Sequence, residues 1–259
     1  RTATADTELG GVSIKEGQKI AALIGSGVKT TSIAIVEKRS ERCSELIGKY
    51  AITVESLHSA VSTSDVILLV VKPQDMQGLL VEIKPHINKS ALVLSFVAGK
   101  KIGFIQANLS DSQPIVRIMP NTPTSVGLGA AGYSFGSAVT QEQRGFVASL
   151  LAAAGKAVEV DETLQDAITA TSGSGPAYFF AFVEAMVEGA IALGLSREDA
   201  TTLTIQTIVG SAALLEKSGD SPTTLREKVT SPNGTTAAAL ASFSQDHLSE
   251  IVARAMKAA

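Results

Sequence analysis

Apolar positions along this chain follow one rule before the stretch Thr171-Ser172-Gly173-Ser174-Gly175-Pro176-Ala177-Tyr178 and another after it. Before it, short β-rich runs alternate with helical spacing. Residues 32–36 read as a strand, followed by a helix over residues 41–50. Val66-Ile67-Leu68-Leu69-Val70-Val71 is a continuous aliphatic run, the pattern of a central parallel strand covered on both faces. Residues 91–97 and 114–119 repeat that pattern; residues 127–135 and 156–160 are further strands, with a helix over 140–154 between them. This alternation predicts a parallel sheet with crossover helices. Past Glu162 the spacing is helical, over residues 164–170, 176–193, 197–215, 223–228, 235–243 and 248–258. The chain therefore reads as an α/β part, residues 1–161, followed by a helical part, residues 162–259, with the central stretch as the seam of an active site.

Where the strands end, the sequence carries candidate chemistry. In an open α/β sheet, ligands sit at the carboxyl ends of the strands. The run ending at Val71 stops at Lys72-Pro73, because proline has no N–H to continue the ladder. The next ends in Ala98-Gly99, small enough for a flat ring to approach the backbone, and the third in Pro120-Asn121-Thr122-Pro123. A phosphate-holding glycine turn is expected near the start of such a part. The candidate is Gly10-Gly11-Val12-Ser13-Ile14-Lys15-Glu16-Gly17, whose spacing is not G-x-G-x-x-G and which reads equally as a polar loop. Helical spacing then runs over residues 19–24 and stops at Gly25-Ser26-Gly27.

Two polar segments leave alternatives open. Glu37-Lys38-Arg39-Ser40 follows the strand whose end faces an adenosine ribose in this architecture. There an acid suits a free 2′-hydroxyl, whereas Arg and Ser suit a 2′-phosphate. Glu37 thus points to NADH, and Lys38, Arg39 and Ser40 point to NADPH; the same residues also read as a solvated charge run opening a helix. Thr230-Ser231-Pro232-Asn233-Gly234-Thr235-Thr236 precedes a helix, where hydroxyls and unpaired N–H groups suit a small carboxylate; it also reads as an ordinary N-cap.

Composition narrows the class. With 259 residues there is room for two modest domains, and a net charge of −3 argues against a nucleic-acid partner. The single cysteine, Cys43, excludes an internal disulfide and suits a reducing compartment, the cytoplasm. The longest apolar region, residues 176–194, is interrupted by Glu184 and Glu188 and reads as a buried or subunit-facing helix, not a membrane span. No signal peptide is recognised, and Arg1 stands where an initiator Met would be. His58, His86 and His247 lack partners at ligand spacing, so no metal is expected. Helices with so few aromatics make a thin core, which predicts a homodimer through the helical part, the number of dimers assembled being left open.

Together, Ser172-Gly173-Ser174-Gly175-Pro176-Ala177-Tyr178 and Val229-Thr230-Ser231-Pro232-Asn233-Gly234-Thr235-Thr236 resemble the paired signature of the pyrroline-5-carboxylate reductases. Val70-Val71-Lys72-Pro73, Val97-Ala98-Gly99 and Met119-Pro120-Asn121-Thr122-Pro123 resemble that family's cofactor loops in the same order. The likeness extends from residue 32 to the C-terminus. In front of that, Gly10, Gly11, Ser13 and Ile14 match the family's glycine loop in part, with Lys15 and Glu16 interrupting it. Leu57 stands where many members have Asn, and Asn233 where they have Gly.

The resemblance implies a Rossmann-like dinucleotide-binding domain followed by a helical dimerisation domain. The reaction it implies is reduction of 1-pyrroline-5-carboxylate to L-proline by NADPH or NADH. On the same ground Ser231, Gly234 and Thr235 hold the substrate carboxylate, the Thr236 hydroxyl acts near the ring nitrogen, and Glu162 faces the ring. Gly10, Gly11, Ser13, Ile14, Arg39, Ser40, Val70, Val71, Lys72, Pro73, Ala98, Gly99 and Asn121 would hold the cofactor, with Ser174 and Gly175 as the floor. Two other readings stand beside this one. A 3-hydroxyacid-type dehydrogenase shares the plan but needs a Lys or His as proton donor, and residues 176–193 contain neither. A non-catalytic helical dimer that only binds nucleotide is the second.

Overall fold

A computed structural model of the chain describes residues 7–9, 12–14 and 16–259. They form two compact units, Arg1–Pro176 and Ala177–Ala259. The first opens with β1 (Thr7–Leu9) and β2 (Val12–Ile14), which pair antiparallel with Thr7 opposite Ile14. Helix α1 (Glu16–Gly25) follows at once. Of the candidate glycine turn, Gly10, Gly11 and Lys15 lie outside the described residues. Ser13 and Ile14 belong to a strand, and Gly17 is helical. Thr7, Val12 and Ile14 are β-branched and favour the extended state, and an acid at Glu16 favours a helix start.

Next come β3 (Ala34–Ile35), α2 (Ser40–Tyr50), β4 (Thr53–Val54) and α3 (Leu57–Thr63). Strand β3 is shorter than the pattern predicted, because Thr30–Ser32 forms a 3₁₀ turn. It pairs in parallel with β4. The main sheet is built from β5 (Val66–Leu69), β6 (Leu92–Ser95), β7 (Ile115–Met119), β8 (Gly129–Phe135) and β9 (Gly155–Glu159), hydrogen-bonded in that order. Helices α4 (Met76–Ile83), α5 (Ile102–Asn108) and α6 (Gln141–Ala152) complete the crossovers. Strands β5, β6 and β7 are parallel, as the sequence pattern predicts, but β8 runs antiparallel to β7. The segment over residues 120–128, with its 3₁₀ turn Thr122–Val126, is too short for a crossover, so the chain simply reverses.

Alternation along the central strands explains their unbroken apolar runs. Ile67, Leu69, Val93 and Ile115 pack with Met76, Leu80 and Ile105 on one face. Leu68, Leu92, Leu94, Val116 and Ile118 pack with Ile20, Leu23, Val147 and Leu150 on the other. Both faces are covered, so both sets of side chains must be apolar.

Short helix α7 (Gln165–Ile168) runs into a π-turn over Thr169–Gly173. The helices that follow are α8 (Gly175–Ala192), α9 (Arg197–Ser218), α10 (Pro222–Lys228), α11 (Thr235–Gln245) and α12 (Leu248–Ala258). Their boundaries are written in the sequence. Ser196 and Ser221 accept hydrogen bonds from Asp199 N and Thr224 N as N-caps, and Gly219 ends α9 in the left-handed conformation. Few side chains are buried here, and Phe179 and Phe180 are each 61% exposed. Among the described residues no helix is long and apolar enough to cross a membrane.

Two glycines should respond in opposite directions to alanine. Gly155 has φ 140°, and a Cβ there would collide with the backbone of Gly129 in the facing strand. Gly155→Ala should therefore lower stability by about 2–4 kcal/mol. Gly145, in the exposed face of α6 with open space around it, should gain about 0.5–1 kcal/mol as alanine. Chemical denaturation of both variants checks the pair.

Candidate active site

Three loops meet at the carboxyl edge of the parallel strands. After β5 come Val70, which is buried, Val71 and Pro73, which are half-buried, and Lys72, which is exposed. After β6, Ala98 leads to Gly99, whose φ of 69° is left-handed and whose missing Cβ leaves open space in front of the backbone. That is the opening a flat ring requires, and a side chain at this position would fill it. After β7, Asn121 is buried, and its Oδ1 accepts the Ala130 N–H at 2.8 Å. The Asn121 carbonyl side therefore anchors the start of β8.

The central glycine-serine stretch reaches the same edge. Ser174 N donates to Thr169 O at 2.8 Å, closing the π-turn. A Cβ on Gly173 would strike the Met119 side chain, so this turn lies flat on the last residue of β7. Met119 is buried against Ala98 and Ile168. Ala98, Met119, Gly173 and the adjoining Ser174 and Gly175 thus come together within the first unit.

Arg117 is the residue that sequence reading passed over. It is 4% exposed in the middle of β7. Its guanidinium lies 3.5 Å from Glu162 Oε1 and 3.5 Å from Asp166 Oδ1. Glu162 Oε1 also accepts the Ile102 N–H at 2.7 Å, at the first turn of α5. The signal was available: an arginine inside Ile115-Val116-Arg117-Ile118-Met119 needs a buried partner, and acids spaced i,i+4 supply one. Glu162, which the resemblance set beside the substrate ring, is thus engaged by Arg117 and the α5 terminus. Gln165, fully buried beside it, donates to Ser134 Oγ at 2.9 Å.

Glu37 follows β3, the first strand of the two-stranded sheet. Its Oε1 accepts from Arg39 N at 2.9 Å and Nε at 3.1 Å, and its Oε2 lies 2.8 Å from Arg39 Nη2. The hydrogen-bonding Arg39 guanidinium holds the Glu37 carboxyl below the usual carboxylate range. Lys38, Arg39 and Ser40 are exposed.

In the second unit, the turn before α11 puts Asn233 in the left-handed conformation at φ 60°, a state asparagine tolerates where glycine is usual. Gly234 N donates to Ser231 O at 3.0 Å, and Gly234 caps α11 through its backbone alone. First-turn N–H groups and the Ser231, Thr235 and Thr236 side chains therefore share one helix start. Among the described residues His, Cys, Asp and Glu form no group of three or more that could hold a metal ion.

A layered α/β unit with open turns along one strand edge, joined to a helical unit, has the Rossmann-like plan of a nicotinamide-dependent oxidoreductase. Residues 162–259 match the family described as pyrroline-5-carboxylate reductase dimerisation, and residues 15–99 match NADP oxidoreductase, coenzyme F420-dependent. A pyrroline-5-carboxylate reductase of Pseudomonas aeruginosa is 40% identical over 252 residues, covering 95% of this chain and 92% of that protein. A solved Coxiella burnetii pyrroline-5-carboxylate reductase superposes with a TM-score of 0.87 at 32% identity, covering 93% of this chain and 91% of that one. The Plasmodium falciparum enzyme, solved with NADP bound, gives 0.83 at 28% identity, covering 93% and 90%. The chain belongs to the pyrroline-5-carboxylate reductase family.

Removing the partner of Arg117 exposes what the bridge contributes. Glu162→Ala should cost about 1–3 kcal/mol, since it leaves the buried guanidinium with Asp166 alone as its ion-pair partner and orphans the Ile102 N–H. Glu162→Gln keeps an acceptor for Ile102 and should cost less. Denaturation curves that coincide for the wild type and both variants would deny the bridge any structural role.

Proposed function

We propose that the chain reduces 1-pyrroline-5-carboxylate to L-proline with NADPH, accepting NADH less readily. The observation that carries this reading is family membership over nearly the whole chain, joined to a helix start suited to a small carboxylate. Residues 1–161 hold the dinucleotide and residues 162–259 hold the substrate and dimerise. The turns at Val70 to Pro73, Ala98-Gly99 and Asn121, with Arg39 and Ser40 at the ribose and Ser174-Gly175 as floor, form the cofactor site. Gly10, Gly11, Ser13 and Ile14 are assigned to the pyrophosphate by family likeness. Open backbone at Gly99 supports the fit of a planar ring there.

Bound NADPH supplies a hydride, and this chain's residues do the positioning. Ser231 and the N–H groups of Gly234 and Thr235 hold the carboxylate, which fixes the ring. The Thr236 hydroxyl hydrogen-bonds at the ring nitrogen and keeps it protonated. The iminium carbon already carries the positive charge that draws the hydride, so no strong general acid is required. One hydride and the nitrogen's proton complete the amine. Glu162 serves as a positioning residue through Arg117.

Exposed Phe179, Phe180, Leu203 and Val209 on α8 and α9 support a homodimer through the helical unit. Free Cys43 fits a cytoplasmic setting, where no disulfide is needed.

Purified protein given the cyclic imine should oxidise NADPH. Thr236→Ala should lower kcat/KM about 10- to 100-fold at unchanged Tm. Equal kcat/KM in the variant would remove Thr236 from the mechanism, and an inactive wild type would leave the nucleotide-binding scaffold as the better reading.

A further inference from the structure

Glu37 occupies the place after a strand where an acid selects NADH, by accepting from the free 2′-hydroxyl of the adenosine ribose. In this chain that carboxylate is already taken. Arg39 closes on it with a backbone N–H, Nε and Nη2, so both oxygens are engaged, and the Glu37 side chain is only 8% exposed beneath the Arg39 side chain at 61%. Two charges two residues apart thereby cancel, and the pair no longer repels a phosphate. Lys38 and Ser40 flank the pair on the exposed side.

Resting on the reductase reading, we propose that the Glu37–Arg39 pair determines cofactor specificity: Arg39 masks an NADH-selecting carboxylate and so commits the enzyme to NADPH. Arg39 acts twice, as an exposed N–H donor to the 2′-phosphate and as the group that silences Glu37. Its loss therefore does more than weaken NADPH. It uncovers an acid that accepts from the 2′-hydroxyl of NADH and repels the 2′-phosphate. A two-residue spacing makes the exchange local, with no change in the sheet.

Fluorescence titration of NADPH and NADH, without substrate, tests the pair. The wild type should bind NADPH at least about tenfold more tightly than NADH. Arg39→Ala should reverse that order, and Glu37→Gln/Arg39→Ala should abolish any preference for NADH, because the uncovered acid is gone. Glu37→Gln alone should leave NADH affinity within about twofold of the wild type, since a masked carboxylate contributes nothing to that ligand. This last variant keeps the test decisive if Arg39→Ala does not fold. Retained NADPH preference in Arg39→Ala, or a tenfold loss of NADH affinity in Glu37→Gln, overturns the masking. A wild type that prefers NADH overturns it as well while leaving the reductase reading intact, whereas one that binds neither nucleotide overturns both.

Discussion

A guanidinium buried in a sheet has to be paired, and in this protein that requirement organises the carboxyl edge of the sheet in the first unit. Arg117 sits among apolar neighbours in β7, three residues before Pro120. Desolvating it unpaired would cost several kcal/mol. The carboxylates of Glu162 and Asp166 meet it from the segment that follows β9. Because Glu162 also accepts the Ile102 N–H, the same contact fixes where α5 begins and hence the loop through Gly99. Glycine at 173 then lets the following turn settle on Met119. The ends of β6 and β7 and the glycine-serine stretch are therefore held together by one charge requirement and one missing side chain.

Most of the architecture was legible from periodicity because its elements are simple physically. β5, β6 and β7 are covered on both faces and are apolar at nearly every position, while α9 and α10 begin at the N-cap serines Ser196 and Ser221. Reading failed where contacts are nonlocal. The reversal of β8 depends on the length of a connection rather than on the strand's own residues. Arg117 looked like a strand position because its partners lie far away in sequence. At the front of the chain, Ser13 and Ile14 lie in β2 and Gly17 in α1, while Gly10, Gly11 and Lys15 lie outside the described residues.

The candidate site was legible in a different way. Its residues are backbone N–H groups, hydroxyls and small side chains, and none announces itself by charge. Ser231 to Thr236 had two readings by composition alone, an ordinary cap or a carboxylate seat. In the structure Asn233 is left-handed and α11 has Gly234 as its N-cap, with no side-chain cap hydrogen bond on its first-turn N–H groups. This suits a substrate that carries its own activating charge, for which the protein contributes orientation more than acid–base power. Glu37 and Arg39 show the opposite case. Their types were plain in the sequence, but their conflicting signals could be weighed only once the carboxylate was seen closed by its neighbour.

The reaction proposed for this chain is hydride delivery to the imine carbon of a ring held by its carboxylate. Reaction of the cyclic imine with NADPH deuterated at the transferable C4 position tests it most directly. The product should be L-proline carrying one deuterium on C5, the former imine carbon, and none elsewhere. Proline free of deuterium, or label at the carbon that bears the carboxylate, would contradict it.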